Sequence, residues 1–237
     1  MKKVILLGSA LLFSATTIFA QSSNTMTGKD SRIGIKAGVN LSTVKYKGNG
    51  ADIINDNTKQ NVGYNFTVFG DFGVGNNFFI QPGVSLQNKG TKIEGSATNG
   101  STTTTGKIKT DVMVIEVPVN AVLRIPTGNS GAFQVSAGPY IGFNVDGKTK
   151  TTTTVTNPSG TTTTSSTDNL SFGNKSDDNA TSTDFGANFG LGYRLNNGFI
   201  LGANYGLGLS NLIPKDNRSN GSDAKHRVLG FSIGYSF

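Results

Sequence analysis

The chain has 237 residues, a formal net charge of +7, 32 glycines, 15 phenylalanines and neither tryptophan nor cysteine. The missing cysteines exclude a disulfide framework, a thiolate metal site and a cysteine-linked lipid anchor. No stretch has helical apolar spacing, which excludes a helical protein and leaves an all-β chain.

The first residues do not belong to the fold. Met1-Lys2-Lys3 is positive, residues 4–19 are largely apolar, and Ala20 precedes the polar Gln21-Ser22-Ser23-Asn24. That layout predicts a cleavable secretory signal over residues 1–20. Ser9, Ser14, Thr16 and Thr17 interrupt the run, and no basic stop signal follows, as a membrane helix would require. Residues 21–31 are expected to be a periplasmic tail and residues 32–237 a barrel domain.

Eight segments then alternate with period two, so each has one apolar and one small or polar face. Residues 33–43 put Ile33, Ile35, Ala37, Val39 and Leu41 against Gly34, Lys36, Gly38 and Asn40. Residues 62–74 put Tyr64, Phe66, Val68 and Phe72 against Asn65, Thr67, Phe69 and Asp71. Residues 78–89 put Phe78, Ile80, Val84 and Leu86 against Gln81, Ser85 and Gln87. Residues 111–125 put Met113, Ile115, Val117, Val119 and Leu123 against Glu116, Asn120 and Arg124. Residues 133–146 set Phe133, Val135, Ile141 and Phe143 against Gln134, Ser136 and Tyr140. Residues 184–195 set Phe185, Phe189, Leu191 and Tyr193 against Asp184, Asn188 and Arg194. Residues 199–209 set Phe199, Leu201, Tyr205 and Leu207 against Asn204 and glycines. Residues 226–237 set Leu229, Phe231, Ile233, Tyr235 and Phe237 against His226, Val228, Gly230, Ser232 and Ser236.

The connections sort into two kinds. Gly75-Asn76-Asn77, residues 126–131 and Asn196-Asn197-Gly198 are short, whereas residues 45–61, 90–110, 147–183 and 211–225 are long. Strict alternation of tight turns and long loops predicts an eight-stranded antiparallel up-and-down transmembrane β-barrel in an outer membrane, with short periplasmic turns and long extracellular loops. Phe72, Phe78, Phe133, Tyr193, Phe199, Tyr235 and Phe237 fall at the turn ends, where an interfacial aromatic girdle belongs. Basic residues gather at the other end, among them Lys45, Lys47, Lys59, Lys89, Lys92, Lys107, Lys109, Lys148, Lys150 and Lys225. Their expected partner is phosphate-bearing outer-leaflet lipid, lipopolysaccharide included; a plain solvated loop surface is the alternative.

A barrel of eight strands is only wide enough inside for side chains. Inward Lys36, Arg124 and Arg194 with Asp71, Glu116 and Asp184 form a nearly balanced set, predicted to be a structural network that plugs the lumen. A conducting pathway along the same groups is the alternative. Residues 142–149 match GxxxxGK[ST], but a β-branched, threonine-rich stretch follows where a phosphate loop needs a helix. Residues 216–221 faintly resemble a calcium loop, with Arg218 where an oxygen ligand belongs. His226 near Ser222 and Asp223 suggests a hydrolytic trio, although a solvated histidine at a loop edge explains it as well. No enzyme, cofactor, metal or nucleic-acid site is expected. The Thr/Ser-rich residues 101–105 and 149–167 are expected to be mobile surface loops.

The phrases GIKAGVNLS, FIQPGVSLQNKG, IEVPVNAVLR, SAGPYIGF, FGANFGLGYRL and ANYGLGLSNL occur in this order along the chain. They resemble the PorT-like outer-membrane β-barrel family of Gram-negative envelopes. The resemblance implies an eight-stranded outer-membrane barrel and an accessory part in a protein-secretion system. It transfers no functional residue, because the shared phrases build strands.

Overall fold

The computed structural model describes residues 31–219 and 221–237; the expected signal and most of the expected tail lie outside them. In chain order the elements are β1 (Ser31–Lys47), α1 (Ala51–Asp56), β2 (Thr58–Lys59), β3 (Asn61–Gly75), β4 (Phe78–Asn99), β5 (Thr102–Pro126), β6 (Gly131–Asn157), β7 (Gly160–Asn169), β8 (Thr183–Leu195), β9 (Phe199–Gly208) and β10 (Asp223–Ser236). β1, β3, β4, β5, β6, β8, β9 and β10 hydrogen-bond to their neighbours in a closed antiparallel ring, in which β10 returns to β1. The eight alternating segments are these eight strands.

Register follows from the pattern. Along the closing pair Ile35 faces Tyr235, Ala37 faces Ile233 and Val39 faces Phe231, while Gly38 faces Ser232 and Asn40 faces Gly230. A slip of one residue would turn every apolar side chain inward, so the pairing is strongly specified. The resulting body is inside out. Ile233 is 67% and Leu191 66% exposed, whereas Asp71, Glu116, Asp184 and Asn40 are almost wholly buried. Only a lipid environment makes that arrangement stable. At the turn end Phe133 packs edge-on to Tyr193 at 5.0 Å, and Tyr235 to both Phe199 and Phe237. Gly198, at φ 94°, supplies the positive φ that the β8–β9 turn needs.

Inward glycines make room for large side chains. A Cβ on Gly34 would strike the Phe69 ring, and one on Gly186 would lie 2.7 Å from Cε1 of Tyr140.

The long connections depart from expectation. β4 and β5 stay paired from Phe78↔Leu123 out to Asn99↔Thr102, and β6 pairs with β7 from Lys148↔Asn169 to Asn157↔Gly160. The Thr/Ser-rich stretches are therefore strands, not mobile loops. Threonine is β-branched and favours strands, and its hydroxyls pair across them: Thr98 with Thr103 at 3.0 Å, and Thr154 with Thr163 and Thr156 with Thr161 at 3.1 Å. Near the base of this extension a bulge sets Met113 and Val114 against Asp146 and Asn144, with Val145 as the additional residue. Beyond it β4, β5, β6 and β7, with the two-residue β2 against β4, form a sheet that projects from the ring. The first long connection is also ordered, because Asn55 of α1 clamps Tyr46 through both its backbone N–H, at 3.0 Å, and its carbonyl, at 2.9 Å.

Candidate functional site

The six lumen residues predicted from the sequence all point inward, but they fall into two groups. Near the turn end Asp71 (β3) is the centre. Arg124 (β5) donates to its Oδ2 in a very close pair, Arg194 (β8) lies 3.7 Å from the same oxygen, and Gln81 (β4) donates to Oδ1 at 3.5 Å. Lys36 (β1) joins through Gln81 Oε1 at 3.0 Å. Arg124 stacks on Phe79, 3.7 Å from its ring centre, and Arg194 also donates to Ser236 at 3.3 Å. With the Gln134 amide turned so that its oxygen faces Arg124, it accepts from Nε at 2.7 Å and Nη2 at 3.2 Å. Lys36, Arg124 and Arg194 thus gather around one carboxylate.

Towards the other end Glu116 (β5) and Asp184 (β8) share Lys89 (β4), whose Nζ is 2.7 Å from Glu116 and 3.7 Å from Asp184. Asn188 and Gln87 donate to Glu116 at 3.0 and 3.2 Å. Tyr140 and Ser210 donate to Asp184 at 3.2 and 2.5 Å, and the His226 Nδ1 is 3.3 Å from it. Here the carboxylates outnumber the lysine. Between the groups lies a cavity of about 110 Å³, bounded by Lys36 and Gln81 on one side and Glu116, Gln87 and Asn188 on the other.

Two expectations are corrected. Lys89, assigned to the basic rim, is 2% exposed and lies in the lumen; His226, expected at a solvated loop edge, is 4% exposed beside Asp184. In both cases the period-two pattern ran one step further than the chemistry suggested. Ser222 and Asp223 do not join His226: Ser222 donates to the Ser219 carbonyl at 2.8 Å and Asp223 pairs with Lys225 at 2.6 Å. The GxxxxGK[ST] residues lie wholly within β6. The sequence reading missed Ser210 as well, because it stands just past β9 where alternation stops.

Outside the barrel a second arrangement appears. Lys59 pairs across strands with Lys92, Lys92 with Lys109, and Lys109 with Lys150, so four lysines stand in one row over β2, β4, β5 and β6. Residues directly opposite share a face, and this one is outward, since the intervening Thr91 and Val112 are buried. On β5 the row begins just past the outward apolar run that ends at Met113.

Residues 19–214 match the family described as outer membrane protein beta-barrel domain. The chain belongs to this family. As an outer membrane protein beta-barrel domain it resides in the outer membrane, with its tight turns in the periplasm and its projecting sheet outside. Among solved structures it is similar to Ail, the attachment invasion locus protein of Yersinia pestis, at 16% identity and a TM-score of 0.39, over 88% of this chain and 99% of that one. Ail in complex with the heparin analogue sucrose octasulfate gives 17% and 0.38, over 88% and 99%. Neisserial surface protein A gives 10% and 0.38, over 88% and 100%. No curated protein sequence matches the chain.

Proposed function

We propose that this is a non-enzymatic outer-membrane barrel whose work is done at its outer rim, where it holds phosphate-bearing lipid of the outer leaflet. The lysine row carries the proposal. Like charges directly opposite on neighbouring strands repel, so such a row is favoured when anions lie against it. With Lys107 and Lys148 the patch holds six ammonium groups, offset by Glu94 on Lys107 and Asp111 on Lys109. Among the described residues no carboxylate lies within 4 Å of the Lys59, Lys92, Lys148 or Lys150 ammonium. Lipopolysaccharide phosphates, at the edge of the apolar belt, have the right charge and depth.

Native mass spectrometry of the chain released from micelles tests this. Phosphorylated lipid A should be retained at least about tenfold over its dephosphorylated form, and the triple variant Lys92→Gln, Lys109→Gln, Lys150→Gln should lose the preference. Equal retention of the two lipids would sink the proposal.

The lumen groups serve as two plugs in series, a structural role for Lys36, Asp71, Glu116, Arg124, Asp184 and Arg194. The cavity between them favours a second reading, a narrow channel for ions or small solutes. Planar-bilayer conductance separates the two. The wild type should be silent, and so should Glu116→Ala or Arg124→Ala alone, since each leaves one plug; steady wild-type channels would establish transport. The PorT-like resemblance adds an accessory part in secretion. For that, the free edge of β7, whose strand partner among the described residues is β6 alone, is the surface a protein partner would engage.

A further inference from the structure

The projecting sheet has two edges, and they are finished differently. The β4 edge is partly covered: Thr58 and Lys59 of β2 pair with Ile93 and Lys92, and the Glu94 N–H donates to the Asn57 carbonyl at 2.9 Å. Among the described residues that leaves 95–99 open, and a short edge offers little to another strand. The β7 edge has no such cover. All its residues are exposed, it pairs with β6 alone among the described residues, and its register runs from Lys148↔Asn169 to Asn157↔Gly160 without a bulge. Exposed edges are usually blunted by lysine, proline or a bulge; GTTTTSSTDN has none of these, and Asp168 is its one charge. Unpaired N–H and C=O groups along so regular a strand are a template for strand addition.

The strand that suits this edge is β7 itself. Hydroxyls already face one another between β6 and β7, Thr154 with Thr163 and Thr152 with Ser165, both at 3.1 Å. The first of these rows runs on through Thr105 of β5 to Ser96 of β4. An antiparallel second β7 centred on Thr164 sets the partner's Ser165 against Thr163 and the partner's Ser166 against Thr162, which continues the hydroxyl rows. It also sets Asp168 opposite the partner's Gly160, so the two carboxylates stay at opposite ends of a neutral overlap. A parallel pair related by a two-fold axis fails, because identical residues would stand level and turn N–H against N–H.

The two-fold axis of such a pair is perpendicular to the sheet and reverses the direction of the strands. β4, β5 and β6 are ring strands carried outward, so the sheet stands away from the membrane and the second copy points the opposite way. We propose that β7 pairs with β7 of a second copy in a facing membrane, joining two projecting sheets edge to edge. This rests on reading the β7 edge as a partner surface, but makes the partner this same chain rather than a secretion component. One ten-residue edge is smaller than the interface a stable dimer needs, so the contact works through many copies acting together across two surfaces.

The test places the full chain in phosphatidylcholine vesicles, whose surface has no net charge for the lysine row to bridge. Wild-type vesicles should cluster at least about tenfold faster than protein-free ones, read by light scattering. Thr164→Lys and Thr164→Asp should each fail alone, since like charges then face each other, and should cluster when the two populations are mixed. The triple variant Lys92→Gln, Lys109→Gln, Lys150→Gln should cluster as the wild type does, which separates this contact from lipid binding at the row. The chain has no cysteine, so a short bismaleimide can join Thr164→Cys only through that residue. It should give a dimer in clustered vesicles, and Thr98→Cys on the β4 edge should not. No clustering by the wild type would overturn the proposal, as would charged variants that stay apart when mixed. If Thr164→Cys on whole cells is joined only to a chain of different mass, self-pairing falls and the edge stands as a surface for another partner; joined to nothing, both fall. Heat-modifiable gel mobility reports folding; should a charged variant fail it, wild-type clustering and the Thr164→Cys cross-link decide.

Discussion

Lys89 and Lys107 make the same bond in different surroundings. Each ammonium lies 2.7 Å from a glutamate oxygen, Lys89 from Glu116 inside the barrel and Lys107 from Glu94 on the projecting sheet. The lumen pair is 3% and 1% exposed, the sheet pair 46% and 38%. Distance therefore says little about what either bond does. A surface ion pair exchanges readily for water and contributes little, whereas removing one partner of a buried pair strands the other charge where water cannot reach it. The ring is held in one arrangement by a few groups that have no substitute. The sheet is held by many weak and replaceable ones.

The largest effect should come from Asp71→Ala. It removes the carboxylate on which both Arg124 and Arg194 rest, leaving two guanidinium groups facing each other in the lumen. A loss of about 3–5 kcal/mol is expected, read as a shift of the urea midpoint for the chain refolded in lipid vesicles. A loss as small as that of a surface pair would break the contrast between lumen and sheet. Lys89→Met should follow, at roughly 1.5–3 kcal/mol. It is milder because the stranded carboxylates keep neutral donors: Asn188 and Gln87 on Glu116, Tyr140 and Ser210 on Asp184. If Lys89→Met proves the more damaging of the two, the neutral donors matter less than the charge count.

The ring was legible in the sequence because the bilayer turns the usual pattern outward without weakening its period. From Ile35 to Phe237, alternation places almost every side chain on the face where it is found. The lumen was half legible. Period two brings Lys36, Asp71, Glu116, Arg124, Asp184 and Arg194 inside, but how far up the barrel each one sits depends on strand register and tilt, which a single strand does not record. Hence one network was expected where there are two. Lys89 and His226 were misplaced for a different reason: each continues the inward row of its strand, Lys89 after Gln87 and His226 before Val228, but a lysine and a histidine near a strand end resemble rim residues. The projecting sheet was hidden by composition. Runs such as TTTT look like low complexity, yet Gly100 and Asn157-Pro158-Ser159-Gly160 are turn signals that set their register.

On the sheet the effects should be small and local. Thr154→Ala and Thr163→Ala, separately or together, remove one hydroxyl pair at 3.1 Å and should cost about 0.2–1 kcal/mol. Faster amide exchange confined to β6 and β7 beyond Lys148, with the urea midpoint of the ring unmoved, is the expected result. A shift of that midpoint would mean that the sheet and the ring unfold together.

The smallest effect, and the sharpest on the sheet side, is the pH response of Glu94. Its carboxyl is held below the usual glutamate range by the hydrogen bond from Lys107 and by that ammonium's charge, with Lys92 and Lys59 adding to the same field. A folded-state pKa lowered in this way stabilises the sheet above the ordinary glutamate pKa. The contribution is lost as pH falls through the lowered value. The ¹³C shift of the Glu94 carboxyl should therefore titrate below that of a free glutamate. Lys107→Met should bring it most of the way back, and Lys92→Gln only slightly. Raised salt should weaken the shift, because the pair is open to solvent. A Glu94 midpoint that ignores salt and Lys107 alike would mean that the exposed pair is not formed, and the contrast with Lys89 would then rest on geometry alone.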